Sequence, residues 1–157
     1  MIRVGIGQDS HWLVKGRGEL MLGGVVVSVE HYFKADSDGD VIIHALCNAL
    51  STAIGGGSLD TWAGEINKKG VVDSKEYLKV IVKKVEEQGY KINSVAVMVE
   101  AREPRMEEYR NKMQESLARE LNINTNQVGM AFTTGEGLTS FGRGKGILAW
   151  SSVVIDK

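Results

Sequence analysis

The sequence predicts one domain in which strands and three helices share a core, of the α/β or α+β class, with the helices packed on one sheet. Three observations predict it. The chain has 157 residues, a usual length for a single domain, so residues 1–157 are read as one unit. Hydrophobic residues make up 43% and charged residues 25%, which excludes a disordered or collagen-like chain. Stretches of alternating apolar residues take turns with stretches of helical periodicity.

The elements follow in order. Residues Ile2 to Ile6 read as a short strand ending in the polar cluster Gln8-Asp9-Ser10-His11. Leu20 to Val29 holds two apolar runs about Gly23-Gly24, a hairpin pattern. The acidic turn Asp36-Ser37-Asp38-Gly39-Asp40 leads into a helix from about Asp40 to Ile54. Its inner stripe is Ile42, Leu46, Ala49, Leu50 and Ala53, while Asp40, His44 and Asn48 share another face. Ser58 to Val72 reads as irregular and polar. Asp73 with Glu76 has capping-box spacing for a second helix, with Leu78, Ile81, Val82 and Val85 inward and Gly89 as the stop. Val95, Val97 and Val99 alternate on a strand between Ile92 and Arg102. Pro104 fits the first position of a third helix, whose stripe is Met106, Tyr109, Met113, Leu117 and Leu121. Gln127 to Thr134 and Gly146 to Ile155 read as the last strands.

Charge and cysteine content narrow the function. Lys+Arg total 19 against 20 Asp+Glu, so there is no general basic field to hold nucleic acid. Cys47 is the one cysteine; it allows no intrachain disulfide, is expected to be a buried small residue, and fits a reducing cytoplasm. No apolar run approaches the roughly 18 residues of a membrane span, and the N-terminus lacks the apolar core of a signal peptide.

Asp9 and His11 stand at alternate positions, so their side chains share a direction. With His44 they form a two-histidine, one-carboxylate set of the kind that holds zinc with one position open. The same residue types also occur as hydrogen-bonded or capping groups. His31 reads as a surface strand residue without a role. Asp36, Asp38 and Asp40 lack the final glutamate of a calcium loop and suit a helix N-terminus, where Ser37 and the amides of Gly39 and Asp40 would also face an anion. Gly5-Ile6-Gly7 is too short for a dinucleotide fingerprint, and no Walker-type phosphate loop is present. Thr133-Thr134-Gly135-Glu136 places two hydroxyls and a carboxylate at a strand end, fit for phosphate and Mg²⁺ or for an ordinary turn. Gly142-Arg143-Gly144-Lys145-Gly146 is a basic turn or an anion site.

Together, Gly-x-Gly-x-Asp-x-His, then Ser-Asp-Gly-Asp-Val-x-x-His-Ala-Leu, then Thr-Thr-x-Glu with Gly-Arg-Gly-x-Gly-Ile resemble the 2-C-methyl-D-erythritol 2,4-cyclodiphosphate synthase family over essentially the whole chain. The resemblance implies an α+β subunit with a mixed β-sheet and helices on one side, assembled as a homotrimer with active sites between neighbouring subunits. It implies Zn²⁺ (or Mn²⁺ or Co²⁺) on Asp9, His11 and His44, and Mg²⁺ or Mn²⁺ on Glu136, bridging substrate phosphates. It puts catalytic positions at Thr134 and Asp36. Substrate contacts are implied at Ser37, Asp38, Gly39, Asp60, Ala101, Arg105, Met106, Thr133, Thr134 and Arg143. The implied reaction is attack of a 2-phosphate oxygen on the β-phosphorus of 4-diphosphocytidyl-2-C-methyl-D-erythritol 2-phosphate, with CMP leaving, in non-mevalonate isoprenoid synthesis. The alternative is a metal- and cytidine-nucleotide-binding relative with impaired catalysis.

The chain departs from the family pattern at several substrate positions. Asp36 stands where the family usually has a histidine. Ser58-Leu59-Asp60-Thr61-Trp62-Ala63-Gly64-Glu65 replaces a segment that carries the ribose-binding aspartate, whose position falls on Ser58, with Asp60 close enough in sequence to substitute. Arg105 replaces a lysine, and Lys145 a common glutamate. Arg143 and Lys145 from three subunits are expected to converge on the trimer axis and hold an anion such as a diphosphate, sulfate or isoprenoid diphosphate.

Overall fold

The computed structural model describes residues Met1 to Lys157. Its main sheet has five strands in the order β4-β1-β7-β5-β6. These are β1 (Arg3–Lys15), β4 (His31–Phe33), β5 (Lys91–Glu100), β6 (Val128–Thr133) and β7 (Gly146–Asp156). β5 and β6 run parallel, and the other pairs run antiparallel, so the sheet is mixed. A separate hairpin, β2 (Leu20–Leu22) and β3 (Val25–Ser28), turns through Gly23 and Gly24, both at positive φ, as its sequence predicts.

Four α-helices, not three, complete the domain: α1 (Val41–Ala53), α2 (Asp60–Lys68), α3 (Ser74–Glu87) and α4 (Arg110–Leu121). Helix α2 occupies the segment read as irregular. Leu59, Trp62, Ala63 and Ile66 face the core at helical spacing, but only Ala63 is buried and the N-cap, Leu59, offers no side-chain cap, so the stripe is short and no start signal marks it. Pro104 does not open α4. It follows a cis peptide bond, and a 3₁₀ turn at Glu107–Tyr109 intervenes before the helix begins at Arg110. Asp73 caps α3 by accepting the Lys75 N–H at 2.9 Å, whereas Glu76 turns outward to Lys79.

The sheet has two unlike faces. Val95, Val97 and Val99 of β5, and Ile147, Ala149, Val153 and Ile155 of β7, point to one face and are buried in a core with α1, α3 and α4. The opposite face is also apolar but open, with Val4, Ile6, Met98 and Trp150 exposed by 46–67%. Helix α1 is buried almost all round and lies directly on β1. A methyl group at Gly5 would sit 1.9 Å from the Ala49 carbonyl oxygen, and one at Gly7 would sit 2.0 Å from that of Ala45. Gly5-Ile6-Gly7 is thus a bed for the helix, and its glycines allow that close approach.

Candidate functional site

His44 adjoins Ala45 on α1, and the same packing brings it against the end of that bed. Strand β1 does not stop at Ile6 but runs through to Lys15, so Asp9 and His11 are strand residues rather than loop residues. Both face the helix layer by alternation. His44 Nδ1 lies 2.9 Å from Asp9 Oδ2, and His11 Nε2 lies 3.3 Å from the same oxygen. One donor atom from each of the three residues falls within 4.8 Å of the others.

The protonation of the two histidines differs. Burial disfavours the charged form of both. At His11 burial prevails over the nearby Asp9 charge, so its pKa is lowered, and the neighbouring His44 adds to that effect. At His44 the burial cost is outweighed by the hydrogen bond to Asp9 and the charges of Asp9, Asp40 and Asp38, so its pKa is raised. His11 Nε2 is shielded from solvent and has no hydrogen-bond partner. Two imidazoles, one carboxylate and a ring nitrogen with no other use fit a divalent cation, with a coordination position left toward the cavity.

That cavity is lined by Asp9, His11 and His44 together with Asp36, Ser37, Asn48, Ser58 and Asp60, and by no lysine or arginine. Asn48 forms part of its wall, holding the Gln8 carbonyl at 3.0 Å and the Leu59 N–H at 2.7 Å. The acidic turn is spent largely on structure. Asp40 is fully buried and accepts the N–H groups of Gly23, Gly24 and Ile43 at 2.9, 2.7 and 3.1 Å. The amides of Gly39 and Asp40, read as anion donors, are bound by Ser37 Oγ and Asp38 Oδ1, each at 3.1 Å. Asp38 is engaged with Ser74, a residue that sequence reasoning passed over as part of a helix cap.

The remaining candidate residues lie at the far side of the sheet. Glu100 pairs with Thr133 at the ends of β5 and β6, and the Ala101 N–H donates to the Thr133 carbonyl at 3.0 Å. Ala101 and Met106 are buried, and Arg105 is exposed. Thr133 Oγ1 and Thr134 Oγ1 accept the amides of Gly135 and Glu136 at 3.0 and 3.3 Å. Glu136 is exposed and holds φ 55°, a left-handed backbone uncommon outside glycine. Arg143 folds back, its Nη1 donating to the carbonyls of Gly137 and Leu138 at 3.1 and 2.9 Å. β1 and β6 are three strand spacings apart in the sheet order, about 14 Å. Within one chain the Asp9, His11 and His44 cluster and the Thr133–Glu136 turn therefore start from strands that are not neighbours.

His31 is buried rather than on the surface. Its Nδ1 meets Ser28 Oγ at 3.0 Å, and it packs as part of β4.

Residues 2–156 match the model of the YgbB family. The 2-C-methyl-D-erythritol 2,4-cyclodiphosphate synthase of Vibrio vulnificus strain CMCP6 is 38% identical, covering 100% of this chain and 99% of its own. The bifunctional IspDF of Campylobacter jejuni superposes with a TM-score of 0.92 at 31% identity, over 99% of this chain and 42% of that one. A solved 2C-methyl-D-erythritol-2,4-cyclodiphosphate synthase in its CDP-bound form gives a TM-score of 0.89 at 29% identity, over 98% of this chain and 100% of that one. Sequence and fold agree over the whole length: the chain belongs to the YgbB family.

Proposed function

We propose that this protein converts 4-diphosphocytidyl-2-C-methyl-D-erythritol 2-phosphate to 2-C-methyl-D-erythritol 2,4-cyclodiphosphate and CMP. The observation that carries the reading is the Asp9, His11 and His44 cluster in a family whose members are named for that synthesis. Their name as synthases favours catalysis over a purely nucleotide-binding role.

The cavity's electrostatics argue for metal dependence. Its lining carries three carboxylates and no lysine or arginine, so a phosphorylated substrate would need positive charge from elsewhere. A divalent cation on Asp9, His11 and His44, read as Zn²⁺ with Mn²⁺ and Co²⁺ as substitutes, supplies the positive charge that phosphoryl transfer requires. The 2.9 Å separation of Asp9 Oδ2 and His44 Nδ1 places both atoms where one cation would meet them. Asn48 fixes the turn before α2, where Asp60 enters the same space. Thr134 and Glu136 stand on a turn whose amides are satisfied internally, leaving the Glu136 carboxylate for Mg²⁺ or Mn²⁺ and the threonine hydroxyl hydrogens to donate to phosphate. No general base is needed, because the attacking group is already a phosphate oxygen. It bonds to the β-phosphorus as the bond to CMP breaks. Holding both ends of one substrate makes the attack unimolecular.

A homotrimer would join the two groups of residues between subunits, and the open apolar sheet face, whose Ile6, Met98 and Trp150 it would cover, supports that reading. The CDP-bound relative supports a cytidine nucleotide as ligand, and we assign its cytidine to Ala101, Arg105, Met106 and Thr133. Arg143 and Lys145 are exposed, and from three copies they would meet an anion on the axis. No helix is long and apolar enough to cross a membrane, and we assign the protein to the cytoplasm. Purified protein, stripped of metal and resupplied with Zn²⁺ and Mg²⁺, should release CMP from the cytidylyl substrate. A metal-loaded protein that binds CDP and releases no CMP would contradict the assignment.

A further inference from the structure

The ring of His44 is held from behind as well as in front. Its Nδ1 faces Asp9 and the candidate cation position. Its Nε2 lies 2.8 Å from Ser74 Oγ, which is completely buried at the start of α3. That hydroxyl in turn reaches Asp38 Oδ1, and Asp38 Oδ2 accepts the Ser74 N–H at 3.0 Å. The Asp38 N–H closes the clamp by donating to the Val72 carbonyl at 3.0 Å.

Directions along this row are fixed by chemistry. Asp38 is a carboxylate and accepts, so the Ser74 hydroxyl gives it its only hydrogen. The Ser74 oxygen is then free to accept, and His44 Nε2 must donate to it. With its proton on Nε2, the ring presents the Nδ1 lone pair to a metal. The carboxylate at the far end, acting through the hydroxyl, makes that nitrogen a better donor.

We propose that Ser74 and Asp38 are positioning residues for the metal, a relay that fixes the tautomer and angle of His44 and ties cation binding to the turn that carries Asp36 and Ser37. This rests on the reading that Asp9, His11 and His44 hold a divalent cation. The proposal also gives Asp38 a role other than the substrate contact expected from its motif, because its carboxylate is already occupied by Ser74 and the Asp40 N–H.

The test is Zn²⁺ affinity, measured by competition with a chromophoric chelator on wild type, Ser74→Ala and Asp38→Asn, with Co²⁺ absorption spectra of each. The expected result is a dissociation constant raised about 10–100-fold in Ser74→Ala, the usual cost of losing such a partner. Asp38→Asn should shift affinity in the same direction, and the Co²⁺ bands should change in both. Variants that melt like wild type and bind Zn²⁺ within about twofold of it would overturn the proposal while leaving the metal site standing. A wild type that binds no cation would remove the site itself, and the proposal with it. Nitrogen NMR of the Zn²⁺-loaded wild type decides independently of whether either variant folds. The proton must reside on His44 Nε2, and a proton on Nδ1 would refute the relay.

Discussion

At the scale of single residues, buried polar groups carry the most weight. Asp40 has no access to water, and burial raises its pKa against the opposing pull of three backbone N–H donors. Replacing it with Asn turns an amide donor toward one of those donors. Asp40→Asn should lose about 2–3 kcal/mol in urea denaturation, the cost of a buried group left without a partner. Cys47 offers a second check. Burial lifts its thiol well above the ordinary range, so the thiolate is absent near neutrality. A disulfide reagent should leave native protein untouched at pH 8 and react at once in denaturant. The Asp9, His11 and His44 cluster was legible in the sequence because each of its members stands in a short motif. Ser74 was not, because a serine beside an aspartate at a helix start has a sufficient local explanation, and only the tertiary fold brings it to His44. His31 was misread for a similar reason: its neighbours Glu30 and Tyr32 are exposed, and strand alternation alone does not say which face is covered.

At the scale of elements, α1 against β1 sets the site. Gly7→Ala would drive a methyl into the Ala45 carbonyl, forcing helix from strand. Loss of at least about 2–3 kcal/mol is expected, together with a weaker Zn²⁺ affinity as His44 moves off Asp9. Helix α2 behaves oppositely. Gly64 lies inside it with nothing within 4 Å of an added methyl, so Gly64→Ala should stabilise the protein by about 0.5–1 kcal/mol, read from the shift in urea midpoint. Strands with alternating valines and helices with apolar stripes were legible, since periodicity reports a covered face directly. Helix α2 is hard to read because its stripe of Leu59, Trp62, Ala63 and Ile66 is short and half-covered, and no side chain caps its start. The length of β1 escaped because polar site residues interrupt its apolar pattern while its hydrogen bonding to β7 continues from Arg3 to Trp12.

At the scale of the molecule, the open sheet face and the separation of the two groups of candidate residues support the proposed assembly, on which activity is expected to depend. Sedimentation of wild type should give a single trimeric species. Ile6→Asp, which puts a charge on the apolar face, should shift it to monomer and abolish CMP release while leaving Zn²⁺ affinity nearly unchanged. The motifs made the trimer an expectation, but the two groups of candidate residues became separable only once the strand order placed β1 and β6 on opposite sides of β7 and β5. The changed Ser58–Glu65 segment forms the cavity's outer wall without disturbing the Asp9, His11 and His44 cluster behind it. The most direct measurement is therefore CMP release from 4-diphosphocytidyl-2-C-methyl-D-erythritol 2-phosphate by the trimer with Zn²⁺ and Mg²⁺, beside His44→Ala. Metal-dependent release that vanishes in the variant is the predicted result. Equal release by both proteins, or none from a metal-loaded wild-type trimer, would contradict the account.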